Sequence, residues 1–292
     1  MSSCVQNGNA SVFQGSRPAA FAELSGLLTR LNDLQNASSA VHQLIACGGA
    51  SIPMLAEALL RGKPHSISQP RCCLVKVLAT LQANDVLLEY LKQPKAMTDP
   101  VIRFAEDSVI NAAARALRLD FSADAYAALL ELAQQRCLPG VLETLALYRR
   151  TESIPCFLRA LESDLARSAA MQSLQLFGQA AQPYLWTEAL RPEPGPPDRE
   201  NASSLHRRRA CLKLLEPLTL SALEREKLLD LLFETDSELV MNAGAILLSS
   251  SNQQERAAAY RRFRAALPHV DWWLRDELME LLSRFEKAGT KA

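Results

Sequence analysis

Two stretches of this sequence, AVHQLIACGGASIPMLAEALL at 40–60 and AMQSLQLFGQAAQPYLWTEAL at 170–190, repeat the same residues at the same spacing. They align without a gap, and the matched pairs are Ala40 with Ala170, Leu44 with Leu174, Gly48 with Gly178, Ala50 with Ala180, Pro53 with Pro183, Leu55 with Leu185 and Leu60 with Leu190. Self-similarity of this kind indicates a repeated structural unit.

Each matched position has a local structural meaning. Ala40 and Leu44 are one helical turn apart and therefore share one face of a helix. Gly48 suits the left-handed conformation in which helices commonly end. Pro53 suits the first turn of a following helix, where its missing N–H is tolerated. The stretch therefore predicts a helix, a tight turn and a second helix, and the second copy predicts a repeating helical hairpin.

Helix signals continue along the rest of the chain. Asp99 before Pro100, Asp164, and the capping-box pattern from Ser221 to Glu224 mark three predicted helix starts. Hydrophobic residues make up 48 % of the chain and glycines number only 11, which favours helices with a substantial core. The sequence predicts about a dozen helices and no strand.

The chain divides into helical blocks and connecting segments. Four prolines and a glycine fall within 192–197, and no helix continues through such a segment. It is predicted to be a surface loop or a linker between two helical blocks. The expected segments are a disordered tail at 1–17, helical repeats at 18–190, the Pro-rich loop or linker at 191–204, further helical repeats at 205–287 and a tail at 288–292.

Several predicted helices begin with an acid, continue with aliphatic residues and often an arginine, and then present Ala and Leu. The best examples are Asp99-Pro-Val-Ile-Arg103, Asp164-Leu-Ala-Arg167 and Asp236-Ser-Glu-Leu-Val240. Together with the Gly…Ala…Pro-x-Leu hairpin, this pattern resembles the HEAT-repeat family of α-solenoids, well over about 36–190 and weakly over 203–287. The resemblance implies an all-α fold, a right-handed solenoid of antiparallel helix pairs that forms an armadillo-type superhelix.

The resemblance also carries expectations about individual residues. In that family, acids and arginines of neighbouring units commonly form a polar ladder, which implies such a role for Asp164 and Arg167. A single helix pair cannot bury its own apolar face, so stacked neighbours share a core. A stacked array curves, and its concave face is where the resemblance places a partner.

Composition favours a cytoplasmic protein without membrane insertion. The 32 basic and 32 acidic residues balance, so nothing global attracts the chain to nucleic acid or to an anionic membrane. The seven cysteines are odd in number and lack Cys-x-x-Cys spacing, which indicates a reducing compartment. The N-terminus lacks the basic start and apolar run of a signal peptide, and no stretch approaches the roughly 20 apolar residues of a membrane span.

No catalytic, cofactor-binding or metal-binding motif is found in the sequence. Its four histidines stand apart from one another and from cysteines at zinc-site spacing. Cys72 and Cys73 point about 100° apart on a helix, which favours core packing over a shared metal. Phosphate-binding glycine loops and nucleophile elbows are also missing. We expect no metal and no cofactor, and the sequence favours a non-catalytic protein.

Candidate partner-binding residues follow from residue type. Tryptophan and arginine dominate the binding energy of protein interfaces. Adjacent tryptophans cannot both be buried on a simple helix, so at least one of Trp272 and Trp273 is expected at the surface. The predicted apolar anchors are Trp186, Trp272 and Trp273, and the predicted peripheral charges are Arg207, Arg208 and Arg261.

Two alternatives remain open beside a protein-binding scaffold or adaptor. A HEAT-like nucleic-acid-binding protein would align its arginines on one concave stripe, here Arg207, Arg208, Arg209, Arg261, Arg262 and Arg264. Alkylpurine DNA glycosylases have a similar fold class, and Asp271 beside two tryptophans resembles their aromatic and acidic site. The balanced charge disfavours both alternatives, because nucleic-acid-binding domains are usually far more basic. The sequence therefore favours another protein as the partner, bound in the concave face.

Overall fold

The computed structural model describes residues 17–93, 97–196, 199–270 and 272–289. These residues form an all-α structure, as predicted, apart from one antiparallel pairing of two-residue strands. The expected tail at 1–17 lies outside the described residues except for Arg17, which begins the first helix.

The helices follow one another through short connections. The first seven are α1 (Arg17–Arg30), α2 (Ala37–Ala46), α3 (Ile52–Arg61), α4 (Gln69–Thr80), α5 (Asn84–Lys92), α6 (Pro100–Ala116) and α7 (Ala123–Gln135). The next are α8 (Pro139–Ala146), α9 (Ile154–Ala160), α10 (Arg167–Phe177), α11 (Gln182–Ala189), α12 (Ala202–Leu215), α13 (Ala222–Leu231), α14 (Ser237–Leu248), α15 (Gln253–Ala266) and α16 (Trp272–Gly289). Strands β1 (Pro194–Gly195) and β2 (Arg199–Glu200) pair between α11 and α12.

The repeated sequence forms the same local structure twice. Each copy has a glycine with a positive φ angle after its first helix, 61° at Gly48 and 52° at Gly178. A four-residue 3-10 turn begins at each glycine, and the next helix carries its proline in the first turn. Three of the five aligned Ala or Leu pairs are buried in both copies: Ala40 with Ala170, Leu44 with Leu174 and Leu55 with Leu185. The predicted succession of helix, tight turn and helix is therefore confirmed in both copies.

Two of the predicted helix starts are also confirmed. Asp99 caps α6 by accepting hydrogen bonds from the backbone N–H groups of Val101 at 2.8 Å and Ile102 at 3.3 Å. Ser221 and Glu224 form the predicted capping box at the start of α13. These contacts satisfy N–H groups that have no partner within a helix.

The third prediction, that Asp164 caps a helix, is wrong. Helix α10 begins only at Arg167, and its cap position is occupied by Ala166. The Asp164 carboxylate lies too early in the chain to reach the first free N–H groups of α10. It accepts a hydrogen bond from the Arg167 guanidinium at 2.7 Å instead.

The chain forms two compact units, one ending at Leu132 and the other beginning at Ala133. The division falls within α7, whereas the Pro-rich segment 191–204 lies inside the second unit. Helices α11 and α12, which flank that segment, pack directly against each other, so it is a loop within one unit. Helix α12 begins earlier than the expected 205, and α16 continues beyond the expected 287.

Within each unit, alternate helices pack against one another. In the first unit α2 contacts α4, α4 contacts α6, and α3 contacts α5. In the second unit α8, α10, α12, α14 and α16 each contact the next helix in that series, while α9 contacts α11 and α13 contacts α15. In each unit the even-numbered helices therefore form one continuous layer, while odd-numbered helices contact one another in pairs: α3 with α5, α9 with α11 and α13 with α15.

A buried ion pair connects α4 to α6 in the first unit. The Arg71 guanidinium donates to the two carboxylate oxygens of Glu106 at 3.1 and 2.9 Å, and these side chains are only 7 % and 3 % exposed. Arg71 also donates to the carbonyls of Leu59 and Gly62, and Tyr90 donates its hydroxyl proton to Glu106 at 2.7 Å. The buried charges are thus paired and hydrogen-bonded, as burial requires.

Among the described residues, no single helix has both the length and the apolar character needed to cross a membrane. Only when the two segments Ala37–Ala46 and Gly48–Arg61 are taken together, across a bend of 116°, are both requirements met in this part of the chain.

Candidate partner-binding face

The three consecutive arginines Arg207, Arg208 and Arg209 lie on α12, which packs against α10, α11 and α14. Successive helical residues point about 100° apart, so some of these side chains must face a packed neighbour. Arg207 is 2 % exposed and Arg208 is 1 % exposed. The expectation that these two residues are peripheral charges available to a partner is therefore wrong.

Acidic side chains compensate the buried charge of Arg207. Its guanidinium pairs with Glu162, lies 2.9 Å from Glu188 and 3.0 Å from Glu193, and donates to the Arg191 carbonyl at 3.1 Å. The contact with Glu188 is an ion pair without hydrogen-bond geometry. Burial lowers the pKa of Arg207, but the hydrogen bond that Arg207 donates to Glu162 and the nearby carboxylates outweigh this effect, so the pKa is raised.

Arg208 connects three segments of the second unit. Its Nε atom donates to the Ala189 carbonyl at the end of α11 at 2.9 Å. Its terminal nitrogens pair with Glu200 in β2 and, at 2.8 Å, with Glu234 before α14. Together with the Arg207 contacts, these bonds attach the Pro-rich loop to α12. Both arginines therefore have a structural role.

A charged ladder begins in α10 with residues that the sequence singled out. Asp164 and Arg167, predicted to take part in a polar ladder, contact each other at 2.7 Å. The same Arg167 guanidinium lies 2.7 Å from Nδ1 of His206 on α12. Because a guanidinium only donates hydrogen bonds, Nδ1 of His206 is the acceptor in this contact.

The ladder continues from α12 to α14. Arg209 lies 3.0 Å from Asp236, the N-cap of α14, and 3.0 Å from Glu238, while Lys213 also pairs with Glu238 at 3.0 Å. Burial raises the pKa of Asp236, but hydrogen bonds from Arg209 and from the Leu239 N–H outweigh it, so the pKa is lowered. The carboxylate is thus stabilised in its charged form.

The second basic cluster lies on α15. Arg261 is exposed, as predicted, and its Nε atom donates to the carbonyl of its own helix at Ala257. Arg262 turns inward and donates to the Leu232 carbonyl, and Arg264 lies 3.8 Å from Glu286 on α16. Because Arg207 and Arg208 are buried, the six arginines do not form one exposed stripe.

The three predicted tryptophan anchors are distributed over two helices. Trp272 and Trp273 lie side by side at the start of α16 and are 80 % and 51 % exposed. Trp186 is only partly exposed and lies on α11, which contacts α9 and α12. Helix α16 contacts α14 and α15, so Trp186 belongs to a different part of the unit. Asp271 lies outside the described residues.

The layer formed by α10, α12, α14 and α16 carries two open cavities. The first, of about 220 Å³, is lined by ladder residues that include Arg167, His206, Arg209 and Glu238. The second, of about 440 Å³, is here called the acidic cavity and is lined mainly by Lys213, Glu216, Met241, Asn242, Glu277 and Glu280. Lys213 lines both, so the two cavities are adjacent, and we call this surface the ladder face.

In the described part of the chain, we looked for reactive cysteines and for clusters of metal-ligand residues. Its cysteines are free, and it contains no group of three or more His, Cys, Asp or Glu residues placed to hold a metal. Burial raises the pKa of Cys72, Cys73, Cys156 and Cys211. A raised thiol pKa leaves little of the nucleophilic thiolate at neutral pH, which favours the packing role predicted for Cys72 and Cys73.

Sequence reasoning missed the ladder between α12 and α14 and all of the acidic cavity. Arg209 and Asp236 are 27 residues apart, and no local pattern pairs them. The sequence marks Asp236 as an acid that begins a helix, but no local pattern identifies Arg209 as its partner. A scan of protein-family models and a search of curated proteins give no match for this chain.

Proposed function

We propose that this protein is a non-catalytic, cytoplasmic scaffold or adaptor that binds another protein through the ladder face. In this proposal the helix pairs form a HEAT-like, right-handed solenoid, an armadillo-type superhelix, and the ladder face lies on its concave side. The contacts between alternate helices within each unit support this architecture. The twin corners at Gly48 and Gly178 support it as well, because they repeat one helical hairpin.

The observation that carries the functional proposal is the composition of the ladder face. Its cavities combine paired charges, a partly apolar floor and a neighbouring half-exposed tryptophan, which is the composition of protein interfaces. The described residues of this face contain neither a strongly basic surface nor a metal-binding cluster. Burial of Arg207 and Arg208 removes two of the six arginines on which the nucleic-acid alternative depends.

Co-purification tests the function. Tagged wild-type protein and two variants are expressed in the cells from which the chain comes, and captured proteins are quantified by mass spectrometry. We expect Trp273→Ala, one helical turn from the ladder-face residue Glu277, to lose at least one partner that the matched variant Trp186→Ala retains. A capture profile unchanged by Trp273→Ala would contradict a partner-binding role of this face.

Small-angle X-ray scattering tests the architecture. A compact domain of this length has a radius of gyration of about 19 Å. A curved solenoid of stacked helix pairs is elongated, so we expect a clearly larger value for the monomer. A radius near that of a compact sphere would exclude the solenoid while leaving the ladder face to be tested by capture.

A further inference from the structure

The acidic cavity has an excess of negative charge. Its lining contains the three carboxylates of Glu216, Glu277 and Glu280 and the one ammonium group of Lys213, and Lys213 already pairs with Glu238 at 3.0 Å. The carboxylates of Glu216 and Glu277 form no ion pair or hydrogen bond with any described residue. Glu216 directly follows α12 and Glu277 lies on α16, and both line one cavity.

A buried polar group adds an acceptor to the same cavity. Asn242 on α14 is only 7 % exposed, yet it lines the cavity. Its Nδ2 atom donates to the Arg209 carbonyl at 3.4 Å, while its Oδ1 atom accepts no hydrogen bond from a described residue. The Oδ1 atom is not shielded from solvent, so it can accept a hydrogen bond from a donor that enters the cavity.

The rest of the lining suits a long apolar stem. Met241 is 4 % exposed and contributes apolar surface, and partly exposed Ala245 and Leu281 line the cavity beside it. Arginine and lysine side chains place their methylene groups on surfaces of this kind while their charged ends reach polar groups.

Trp273 extends this site along α16. Residues 273, 277 and 280 are related by four and three positions, so their side chains share one face of the helix. The Trp273 ring is 51 % exposed and therefore lies one turn from the Glu277 carboxylate with much of its surface free. Aromatic faces attract cations, so the ring and the carboxylates favour the same class of ligand.

We infer that the acidic cavity binds the cationic side chain of an arginine- or lysine-bearing peptide segment of the protein partner, and that Trp273 contacts the same segment. This inference rests on the proposed function and specifies its partner chemistry. The carboxylates of Glu216 and Glu277 and the Trp273 ring favour a positively charged group, and the Asn242 oxygen can accept a hydrogen bond from it. The same groups repel phosphate, which disfavours nucleic acid at this position.

Fluorescence anisotropy with synthetic peptides tests the inference on the full-length protein. The probe is a fluorescein-labelled 15-residue amphipathic peptide of leucine, alanine and arginine. A second peptide carries citrulline, the neutral analogue of arginine, at the same positions, and a third carries glutamate. We expect the arginine peptide to bind at least 10-fold more tightly than the citrulline peptide and the glutamate peptide not to bind.

Protein variants locate the binding. Glu216→Gln with Glu277→Gln, and separately Trp273→Ala, should weaken binding of the arginine peptide at least 10-fold. The matched control Glu226→Gln with Asp230→Asn removes the same charge from exposed positions on α13 and should leave binding unchanged. Circular dichroism of each variant confirms that it is folded.

Three results would overturn the inference: equal binding of the arginine and citrulline peptides, equal weakening by the control variant, or no binding of the arginine peptide up to 1 mM. Tighter binding of a fluorescein-labelled oligothymidylate than of the arginine peptide would also overturn it, in favour of nucleic acid. The scaffold proposal is judged separately by the capture experiment. A partner lost in Trp273→Ala but insensitive to Glu216→Gln with Glu277→Gln would keep the scaffold role and reject the cationic ligand.

Discussion

At the scale of single residues, buried charges decide how the helices are joined. The Arg71 guanidinium connects α4 to Glu106 on α6 and to the carbonyls of Leu59, in the last turn of α3, and of Gly62, directly after it. Arg208 does the same for α11, the Pro-rich loop and the segment before α14. Removing one partner of such a pair leaves an uncompensated buried charge, which is far more costly than losing an exposed pair.

Replacing Glu106 by glutamine should therefore destabilise the first unit. The Arg71 charge stays buried without its counterion, and we expect the free energy of unfolding to fall by about 3 kcal/mol. Urea unfolding followed by circular dichroism measures this change.

The control for this variant is Glu57→Gln. Glu57 pairs with Arg61 at 3.7 Å, and these side chains are 70 % and 82 % exposed. An exposed pair contributes about 0.5 kcal/mol or less, so the control should unfold almost like the wild type. Equal losses in Glu106→Gln and Glu57→Gln would contradict the buried ion pair.

At the scale of secondary-structure elements, the corners between helices depend on backbone conformation. Gly48 and Gly178 have positive φ angles, and no atom lies within 4 Å of a Cβ placed on either of them. The positive φ angle therefore favours glycine at both positions, whereas a side chain would meet no steric obstacle there. Gly49, the next residue, also has open space around a placed Cβ but has no positive φ.

This difference makes Gly48→Ala and Gly49→Ala a matched pair. We expect Gly48→Ala to lose about 1–2 kcal/mol of stability, because an L-residue is strained in the left-handed region. Gly49→Ala should stay within about 0.5 kcal/mol of the wild type. The two variants are compared by urea unfolding, and equal stabilities would show that Gly48 does not need its positive φ angle.

The cap of α14 makes stability depend on pH. The pKa of Asp236 is lowered in the folded protein, because Arg209 and the Leu239 N–H outweigh the effect of burial. The stabilisation is therefore present above the unfolded pKa of about 4 and is lost as the pH falls through the lower, folded value.

Asp236→Asn keeps a side chain that can cap the helix but removes the charge paired with Arg209. We expect it to cost about 1.5 kcal/mol at about pH 7. The difference from the wild type should persist to about pH 5 and shrink below about pH 4. Unfolding measured across this range tests it, with Asp230→Asn on exposed α13 as the control. A difference that grew as the pH fell would contradict the assigned role.

At the scale of the whole molecule, stability is distributed over two compact units. The helices of each unit contact helices that are close in the chain, so we expect a substitution to act mainly on the unit that contains it. All three tryptophans, Trp186, Trp272 and Trp273, lie in the second unit. Tryptophan fluorescence therefore reports on that unit, whereas circular dichroism reports on both.

The two probes should separate the effects of substitutions in the two units. We expect Glu106→Gln to shift the unfolding transition seen by circular dichroism while leaving the fluorescence midpoint unchanged. Asp236→Asn should shift the fluorescence midpoint. Coincident shifts of both probes in both variants would show that the chain unfolds as a single cooperative unit.

The sequence by itself determined the features that depend on near neighbours. Asp99 and Ser221 reach backbone N–H groups two or three residues away, and Gly48 and Pro53 set the conformation of their own corner. Such features depend on local sterics and hydrogen bonds, so the sequence predicted the all-α character and the two glycine corners correctly.

Only the tertiary structure decided which charged residues are accessible. The sequence predicts Arg207 and Arg208 as surface charges. In the structure they are buried and pair with carboxylates as far as 45 residues away in the chain. In the same way, packing of α12, α14 and α16 places Glu216, Asn242 and Glu277 on one cavity. Burial and charge pairing depend on which helices meet, and no pattern within one helix encodes that contact.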